Sequence, residues 1–290
     1  MPEVKLTNPD KVLFPDDGIT KAELRDYYVT VAEAMVPHTR DRPMNLWRWN
    51  QGIAHDPLIQ QSLPKGAPEW VKRCEVPRRK GGDITHGMIN DADTLQWLAQ
   101  QNCITPHVWN ARCDRREKPD RLVFDLDPSE DDFDKIRTAA LAVADLLRDI
   151  GLTPFAKVSG SRGIHVIAPL KRLREADEVR AAAGALAERI AGQHADTLTT
   201  EWRKDKRDGR ILVDVARNTY GQTIVAAYAV RGLSGAPVSA PVTWDEVADP
   251  SLTPQSFTLR NVGERIAAVG DVWADIDEHA GTLPKDLLTA

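Results

Sequence analysis

Two aspartates follow an apolar, strand-like run near the middle of the chain, in RLVFDLDPS at positions 121–129. Side chains of a strand alternate between its two faces, so Asp125 and Asp127 should share one face after the buried run 122–124. Neighbouring carboxylates repel each other unless protons or a cation compensate them. The pair therefore either accepts hydrogen bonds in a turn after the strand or holds a metal ion.

A third aspartate, Asp214, lies inside the apolar run ILVDVA. An ionised carboxylate between Val213 and Val215 is costly to bury without a partner or a metal. Carboxylates from separate strands can hold two divalent metals, which clamp an in-line phosphoryl displacement. Such sites use oxygen ligands because Mg²⁺ and Mn²⁺ are hard cations.

A connection rich in glycine and serine, VSGSRGIHV at positions 158–166, lies between two strand-like runs. Its hydroxyls, its backbone N–H groups and the Arg162 guanidinium suit a triphosphate. Arg231, after the run TIVAAYAV, could supply a second clamp. A plain β-turn and a structural core histidine at His165 are the simpler interpretations of the same residues.

Two other chemistries fit parts of this pattern. Cys103, His107 and Cys113 form C-x3-H-x5-C, which is not a usual zinc spacing and offers three ligands where a structural zinc site uses four. An aspartate-nucleophile phosphatase of the haloacid-dehalogenase type also begins with D-x-D after a strand. Those enzymes use a doubly wound sheet, whereas this D-x-D lies mid-chain with few β-α units around it.

Composition limits the classes of protein. The chain has 290 residues, 42% hydrophobic and 28% charged, with a net charge of −5, which predicts a soluble globular protein and argues against a generic nucleic-acid coat. A local basic groove remains possible, since KRCEVPRRK (72–80) and RKDKRDGR (203–210) are rich in Lys and Arg. We expect no secretion signal and no membrane span. Three cysteines without C-x-x-C predict no disulfide and a reducing cytosol.

The pattern of elements changes near the polar stretch DRREKPD at 114–120. Before it, a helix capped by Thr20 and Glu23 should run to Pro37, and 91–101 should form a second helix. After it, strand and helix signals alternate, with helices near 131–150 and 175–194. Strands are predicted at 121–126 and in the runs FAKVS, IHVIAPL, RILVDVA and TIVAAYAV.

Two helices on a sheet of about four strands predict an α+β sandwich like that of an RNA-recognition motif. We expect an N-terminal α/β module over residues 1–118. An RRM-like module should cover residues 119–235. A tail over 236–290 should pack on the same single domain.

These motifs together resemble the polymerase domain of bacterial DNA ligase D, a branch of the archaeo-eukaryotic primase superfamily. The resemblance covers nearly the whole chain, from LTNPDKVLFP and GITKAELRDYY through RLVFDLDPS, SGSRGIHV and GRILVDVARN to AYAVRG. Each motif is short, but their order and spacing are specific. The resemblance implies a primase-like α+β fold, and the chain would be a stand-alone member.

The resemblance also implies a role for individual residues. The metal ligands and catalytic residues would be Asp125, Asp127 and Asp214. The incoming nucleotide would be held by His107, Ser159, Arg162, His165 and Arg231. The 5′-phosphate across a DNA gap would be held by Asn8, Lys11 and Lys21, and Arg207 would lie near the primer-template. The match at His107 makes the zinc interpretation less favourable.

Two departures from the family pattern concern binding strength. The family often places adjacent aromatics where template bases stack, and this chain has Leu58 and Ile59 there, in HDPLIQQS. A basic residue that some members carry after the third aspartate is Gln222 here. Both changes affect template and nucleotide binding and leave the metal chemistry unchanged.

The sequence therefore predicts a DNA-repair nucleotidyltransferase that adds ribo- or deoxynucleotides to a primer 3′-OH, with Mn²⁺ or Mg²⁺ as cofactor. Its partners would be gapped or 3′-overhang DNA with a 5′-phosphate, nucleoside triphosphates, an end-binding protein and a separate DNA ligase. We expect a monomer in the bacterial cytoplasm, associated with the nucleoid. A DNA end-binding module without catalysis and the phosphatase are the alternatives.

Overall fold

The computed structural model of the protein describes residues 4–77 and 81–288. The helices are α1 (Lys21–Thr30), α2 (Ala32–Thr39), α3 (Ala92–Gln100), α4 (Phe133–Asp149), α5 (Ala176–Gln193), α6 (Trp244–Ala248) and α7 (Val262–Val269). None of the helices within the described ranges has the length and apolar character needed to cross a membrane.

Fourteen strands lie in the described ranges, most of them short. They are β1 (Val12–Phe14), β2 (Ile19–Thr20), β3 (Pro43–Arg48), β4 (Leu58–Gln60), β5 (Arg73–Pro77), β6 (Asp83–Met88), β7 (Cys103–Trp109), β8 (Arg121–Asp127), β9 (Phe155–Val158), β10 (Ile164–Pro169), β11 (Leu198–Thr199), β12 (Ile211–Asp214), β13 (Thr223–Val225) and β14 (Pro241–Val242).

The chain divides into two compact units. Unit 1 comprises the described residues up to Asp114 with Thr223–Ala240 and Phe257–Asp271, and unit 2 comprises Arg115–Gln222, Pro241–Ser256 and the described residues from Val272 onward. This division differs from the three consecutive segments expected from the sequence. The expected catalytic segment loses 223–235 because β13 pairs with β7 in unit 1, and the expected tail contributes to both units.

Unit 1 is built on an antiparallel sheet in the order β13-β7-β3-β6-β5, with β4 paired to β3. Helix α1 packs against α3, and α3 packs against β7. The predicted capping box at Thr20 is confirmed, since the Thr20 side chain accepts from the Glu23 N–H and the Glu23 carboxylate accepts from the Thr20 N–H. This cap fixes where α1 begins.

The expected end of the first helix at Pro37 is wrong. The helix ends at Thr30, and α2 starts after Val31 and contains Pro37. Proline has no N–H to donate, so the Glu33 carbonyl, four residues earlier in α2, receives no helical hydrogen bond from Pro37. The helix nevertheless continues through Pro37 to Thr39.

The expectation of no disulfide is also wrong, because Cys74 and Cys113 of unit 1 form one. Their Cα atoms are 5.9 Å apart, within the range that a disulfide spans. Cys74 lies on β5 and Cys113 opens a short 3₁₀ helix whose first N–H donates to the Asp41 carbonyl. The sequence separation of 39 between the two cysteines gave no sign of this proximity. With Cys113 in a disulfide, the three-ligand zinc interpretation fails.

Unit 2 contains a sheet in the order β11-β12-β8-β10-β9-β14. Strand β8 pairs antiparallel with both of its neighbours, β10 and β12. The predicted helices correspond to α4 and α5, which pack against β8 and other strands of this sheet. Their predicted apolar stripes are buried; they consist of Ile136, Ala140, Val143, Leu147, Val179, Ala183, Leu186 and Ile190. Antiparallel pairing around β8 contradicts the doubly wound parallel sheet of the phosphatase alternative.

Candidate functional site

The three predicted acidic residues lie on two neighbouring strands of unit 2. Asp125 and Asp127 are on β8, and Asp214 ends β12 directly opposite Asp125. Directly opposite residues of an antiparallel pair place their side chains on the same face of the sheet, and residues two apart on one strand do the same. The three side chains, the carboxylate site from here on, therefore share one face.

Strand β8 is held next to the end of β12 by one asparagine. The Asn218 side chain accepts from the Val123 N–H at 2.8 Å and donates to the Val123 carbonyl at 2.7 Å. Asn218 closes the short 3₁₀ helix that follows Asp214. These two hydrogen bonds replace ladder bonds where β12 stops, so the carboxylates keep a fixed spacing.

Asp125 and Asp214 differ in charge environment. Burial alone would raise the pKa of Asp125, but His165, Arg217 and Lys157 act against it and lower that pKa to about 2. Burial raises the pKa of Asp214, and the neighbouring Asp125 raises it further. Neighbouring charges thus lower the pKa of one carboxylate of the opposed pair, whereas burial and the first carboxylate raise the pKa of the other.

Two arginines bind the third carboxylate. Arg162 Nη2 lies 3.2 Å from Asp127 Oδ1, and Arg207 Nη1 lies 3.0 Å from Asp127 Oδ2. The buried Arg207 also donates to the carbonyls of Glu201 (3.0 Å) and Trp202 (2.9 Å). One guanidinium therefore connects the stretch after β11 to the end of β8.

The connection between β9 and β10 is organised by Ser159. Its hydroxyl accepts from the N–H groups of Ser161 (3.2 Å) and Gly163 (3.1 Å). A side chain at Gly163 would collide with the Leu126 carbonyl, so glycine is required for the connection to approach β8. This approach places His165 Nε2 at 3.3 Å from Asp125 Oδ1. Arg162 and His165 therefore do lie beside the carboxylate site.

The carboxylate site suits a divalent cation chemically. It offers oxygen ligands only, two of which are opposed and repel each other. Within the described part of the chain, however, no three acidic, histidine or cysteine side chains lie close enough together to form a ready metal cluster. Guanidinium and imidazole groups contact the carboxylates of Asp125 and Asp127 instead.

The predicted nucleotide residues of unit 1 are His107 and Arg231. His107 lies on β7, buried, and its ring stacks on Trp47 with centroids 4.4 Å apart. Its Nδ1 is 3.2 Å from the Thr105 carbonyl. Arg231 is half-buried, and its backbone N–H donates to Pro237 at 2.7 Å.

The predicted phosphate-binding residues Asn8, Lys11 and Lys21 come together in unit 1. The Lys21 N–H donates to the Lys11 carbonyl (2.8 Å), and the Lys11 N–H donates to the Asn8 carbonyl (3.1 Å). The two ammonium groups donate to backbone carbonyls, Lys21 to Thr7 at 2.9 Å and Lys11 to Asn50 at 2.5 Å. Burial lowers the pKa of Lys21, and Lys11 lowers it further. Lys21 is also the first residue of α1, where the helix dipole favours an anion.

A family model of the LigD primase-polymerase domain matches residues 20–273 of this chain. The chain belongs to the family of LigD primase-polymerase domains. It is 35% identical to the multifunctional non-homologous end joining protein LigD of Mycolicibacterium smegmatis, over 97% of this chain and 37% of that protein. It is 30% identical to the bifunctional non-homologous end joining protein LigD of Bacillus subtilis, over 93% of this chain and 43% of that protein. The chain thus spans less than half the length of these relatives.

A solved structure supports the same assignment. The polymerase domain from Mycobacterium tuberculosis ligase D, in complex with DNA, matches with a TM-score of 0.90 and 36% identity, covering 96% of this chain and 99% of that one. The resemblance inferred from the motifs and the primase-like α+β fold are confirmed. Membership of the LigD primase-polymerase family makes this chain a polymerase domain of DNA repair.

Sequence reasoning missed two residues of this polymerase-family site. Arg217 Nε lies 3.8 Å from Asp125 Oδ2, and the buried Lys157 acts on the same carboxylate. The signal for Arg217 was its position three residues after Asp214 in DVARN. Lys157 gave little signal, because a lysine in the run FAKVS reads as an exposed position of a strand. The basic stretch 72–80 lies partly outside the described residues, at 78–80.

Proposed function

We propose that this domain adds ribo- or deoxynucleotides to the 3′-OH of a primer at DNA gaps and broken ends. The observation that carries this proposal is the opposed pair Asp125 and Asp214, with Asp127 on the same face and cationic side chains around them. Carboxylates that share a face of a sheet suit nucleotidyl transfer assisted by metal ions. Membership of the primase-polymerase family supports nucleotidyl transfer as the class of reaction.

The reaction joins the primer to the α-phosphorus of a nucleoside triphosphate. The 3′-oxygen forms the new bond, the bond from the α-phosphorus to the bridging oxygen breaks, and pyrophosphate leaves while the hydroxyl proton passes to solvent. Two divalent ions, Mn²⁺ or Mg²⁺, held by Asp125, Asp127 and Asp214, would lower the pKa of the 3′-OH and stabilise the charge on the leaving phosphates.

The chain's own cations have a second task in this proposal. Arg162, Arg207 and His165 contact the carboxylates that would hold the metal ions. With a cation bound at the carboxylates, Arg162, Arg207 and His165 would be free to donate to phosphate oxygens, which guanidinium groups bind well. Arg162 and His165 would then hold the triphosphate together with Ser159. We assign His107 and Arg231 to the nucleotide as well, on the resemblance of their sequence motifs to the family.

DNA recognition would rest on phosphate contacts. The Lys11 and Lys21 ammonium groups, with Asn8 beside them, suit the 5′-phosphate on the far side of a gap. The basic loop 203–210, which includes Arg207, suits the primer-template. The natural partners would be an end-binding protein and a DNA ligase activity. We propose that the domain acts as a monomer in the bacterial cytoplasm, at the nucleoid.

Extension of a primer in a one-nucleotide gap tests the proposal against its alternatives. With Mn²⁺ and a nucleoside triphosphate, the domain should lengthen the primer by one residue and release pyrophosphate. Asp125→Asn should abolish extension, and the matched control Asp208→Asn, an exposed aspartate of the basic loop, should not. Gap binding with no extension would favour an end-binding module. Hydrolysis of a small phosphoester without extension would favour a phosphatase.

A further inference from the structure

A small cavity of unit 2 adjoins the carboxylate site, and the proposed reaction does not use it. It encloses about 160 Å³ between α5, the end of β12 and the stretch that follows β11. Drug-sized ligands occupy sites of roughly 300 Å³ or more, so this cavity suits one flat ring system rather than a whole nucleoside triphosphate. Its walls include Arg180, Gly184, Glu188, Trp202 and Asp214.

One wall is an indole ring that faces solvent. Trp202 is 62% exposed, an unusual state for the largest apolar side chain. Its backbone is nevertheless held, because the buried Arg207 donates to the Trp202 carbonyl at 2.9 Å while it also binds Asp127. The protein therefore presents an aromatic surface at a fixed place relative to a carboxylate of the site.

Another part of the wall, on α5, combines the Arg180 guanidinium with a glycine, which has no side chain. Gly184 lies in the interior of α5, where glycine is less stable than alanine by roughly 0.5–1 kcal/mol. A Cβ at this position would meet Arg180 Nη1 at 3.6 Å, so the guanidinium lies along the bare helix surface. Arg180 is also close enough to Asp214 to act on its charge. A planar cation and an indole are both good stacking surfaces for a nucleobase.

The charge around the cavity favours a nucleic-acid strand. Lys204 and Lys206 are exposed and follow Trp202 directly on the basic loop. An aromatic side chain beside a basic stretch is the usual device for binding single-stranded nucleic acid. Glu188 at the rim disfavours a phosphate inside the cavity and is an acceptor for the amino groups of a base.

We propose that Trp202 and Arg180 form a stacking subsite for the base at the 3′ end of the strand being extended. Asp214 forms part of the cavity wall, and the carboxylates are the groups that would hold the cation activating the 3′-OH. A base next to Asp214 therefore belongs to the strand that carries this hydroxyl. The inference rests on the proposed function and adds a base contact that would hold the primer end before nucleotide addition.

The subsite predicts how a fluorescent base behaves. We would place 2-aminopurine at the 3′ end of the primer in a gapped duplex, since stacking on an indole quenches it. The wild type should quench it on binding and Trp202→Ala should not, whereas Trp202→Phe should keep most of the wild-type affinity because its ring can still stack. Stacking on an aromatic side chain predicts binding of this primer that is weaker by about fivefold to a hundredfold in Trp202→Ala. Arg180→Ala should show a smaller loss of affinity.

Matched controls separate stacking from general damage. Leu173 is another exposed apolar residue of unit 2 and Arg189 another exposed arginine of α5, and neither lines the cavity, so Leu173→Ala and Arg189→Ala should behave as wild type. A primer with an abasic 3′ position should bind equally to the wild type and to Trp202→Ala. Thermal unfolding of Trp202→Ala should match that of the wild type, because the side chain is exposed.

Two results would overturn the subsite. One is unchanged quenching in Trp202→Ala, and the other is Trp202-dependent quenching when 2-aminopurine stands in the template strand but not at the primer end. These binding measurements need no nucleotide addition. A wild type that quenches the primer base but does not extend it would therefore contradict the proposed function while leaving the subsite in place.

Discussion

The carboxylate site of unit 2 and the lysine pair of unit 1, Lys11 and Lys21, are both clusters of like charge, but their partners differ. Asp125 and Asp127 contact arginines and a histidine. The ammonium groups of Lys11 and Lys21 donate to neutral backbone carbonyls. Arginines therefore compensate Asp127, and Arg217 lies near Asp125, whereas the partners of the two lysines carry no charge.

This difference separates two tasks. In the proposed function, the carboxylate site would exchange the contacts with its cationic side chains for metal ions before nucleotide addition. An uncompensated lysine pair at the start of α1 attracts an anion at once. We therefore expect the lysine pair to contribute to affinity and the carboxylate site to contribute to turnover.

Removal of divalent metal should separate nucleotide addition from DNA affinity more strongly than any other change. In a chelator, nucleotide addition should fall to background, because arginine and histidine can neutralise the carboxylates but cannot activate the 3′-OH. Affinity for gapped DNA should change by less than about threefold, since it rests on phosphate contacts. Added Mn²⁺ should restore extension, as followed on gels beside a binding titration. An equal loss of nucleotide addition and of affinity for gapped DNA would contradict the division of tasks between the two clusters.

The lysine pair should show the next largest effect. A gap with a downstream 5′-phosphate should be bound about tenfold to a hundredfold better than one with a 5′-hydroxyl, as for hydrogen bonds to a charged group. Lys11→Ala combined with Lys21→Ala should erase this difference, and Lys65→Ala, at another exposed lysine of unit 1, should not. Lys21→Met, used in place of Lys21→Ala, removes the ammonium group but keeps an apolar side chain of similar length in the buried position. The preference for the 5′-phosphate gap should fall steeply as the salt concentration rises. Equal affinity for the two gaps at low and moderate salt would contradict the phosphate-binding role of the lysine pair.

A smaller effect concerns the sugar of the incoming nucleotide. Ribonucleotides should be used at least as well as deoxynucleotides when both compete for one template position. One hydrogen bond contributes roughly 0.5–1.5 kcal/mol, so His107→Ala should change the ratio by about twofold to tenfold. His86→Ala, at another buried histidine of unit 1, controls for loss of an imidazole. A wild-type preference for deoxynucleotides of about a hundredfold or more would remove the assignment of His107.

The smallest effect should come from the template side. Leu58 and Ile59 are each about half exposed on β4, where the family often has aromatics. Stacking on an aromatic ring is worth roughly 1–3 kcal/mol and aliphatic side chains recover part of it. Leu58→Phe should therefore tighten binding of gapped DNA by a few fold, while Val29→Phe on α1 should not. No gain in a fluorescence anisotropy titration would show that Leu58 does not meet a base.

The sequence predicted the parts of the site that local patterns encode. Alternation placed Asp125 and Asp127 on one face, and the apolar run around Asp214 marked a carboxylate that needed compensation. The capping box at Thr20 predicted where α1 begins. These features depend on neighbouring residues, so periodicity and spacing were sufficient.

Other features depend on contacts between distant residues, which a single sequence does not reveal. Cys74 and Cys113 meet because the beginning of β5 lies beside a short 3₁₀ helix. The run TIVAAYAV reads as a strand of the catalytic sheet, yet β13 pairs with β7 in unit 1. Lys157 is a buried cation only because β9 lies next to β10. In each case the outcome depends on which distant segments of the chain become neighbours in the fold.

Insertion of one nucleotide by Asp214→Ala tests most directly the claim that the three carboxylates together carry out nucleotide addition. Single-turnover insertion into a gapped primer should be compared between the wild type, Asp214→Ala and Asp208→Ala in Mn²⁺, with DNA affinity measured in parallel. We predict that Asp214→Ala loses insertion to background and keeps gap affinity within about threefold of the wild type, because affinity rests on phosphate contacts elsewhere, and that Asp208→Ala resembles the wild type. Near-normal insertion by Asp214→Ala would contradict the three-carboxylate site.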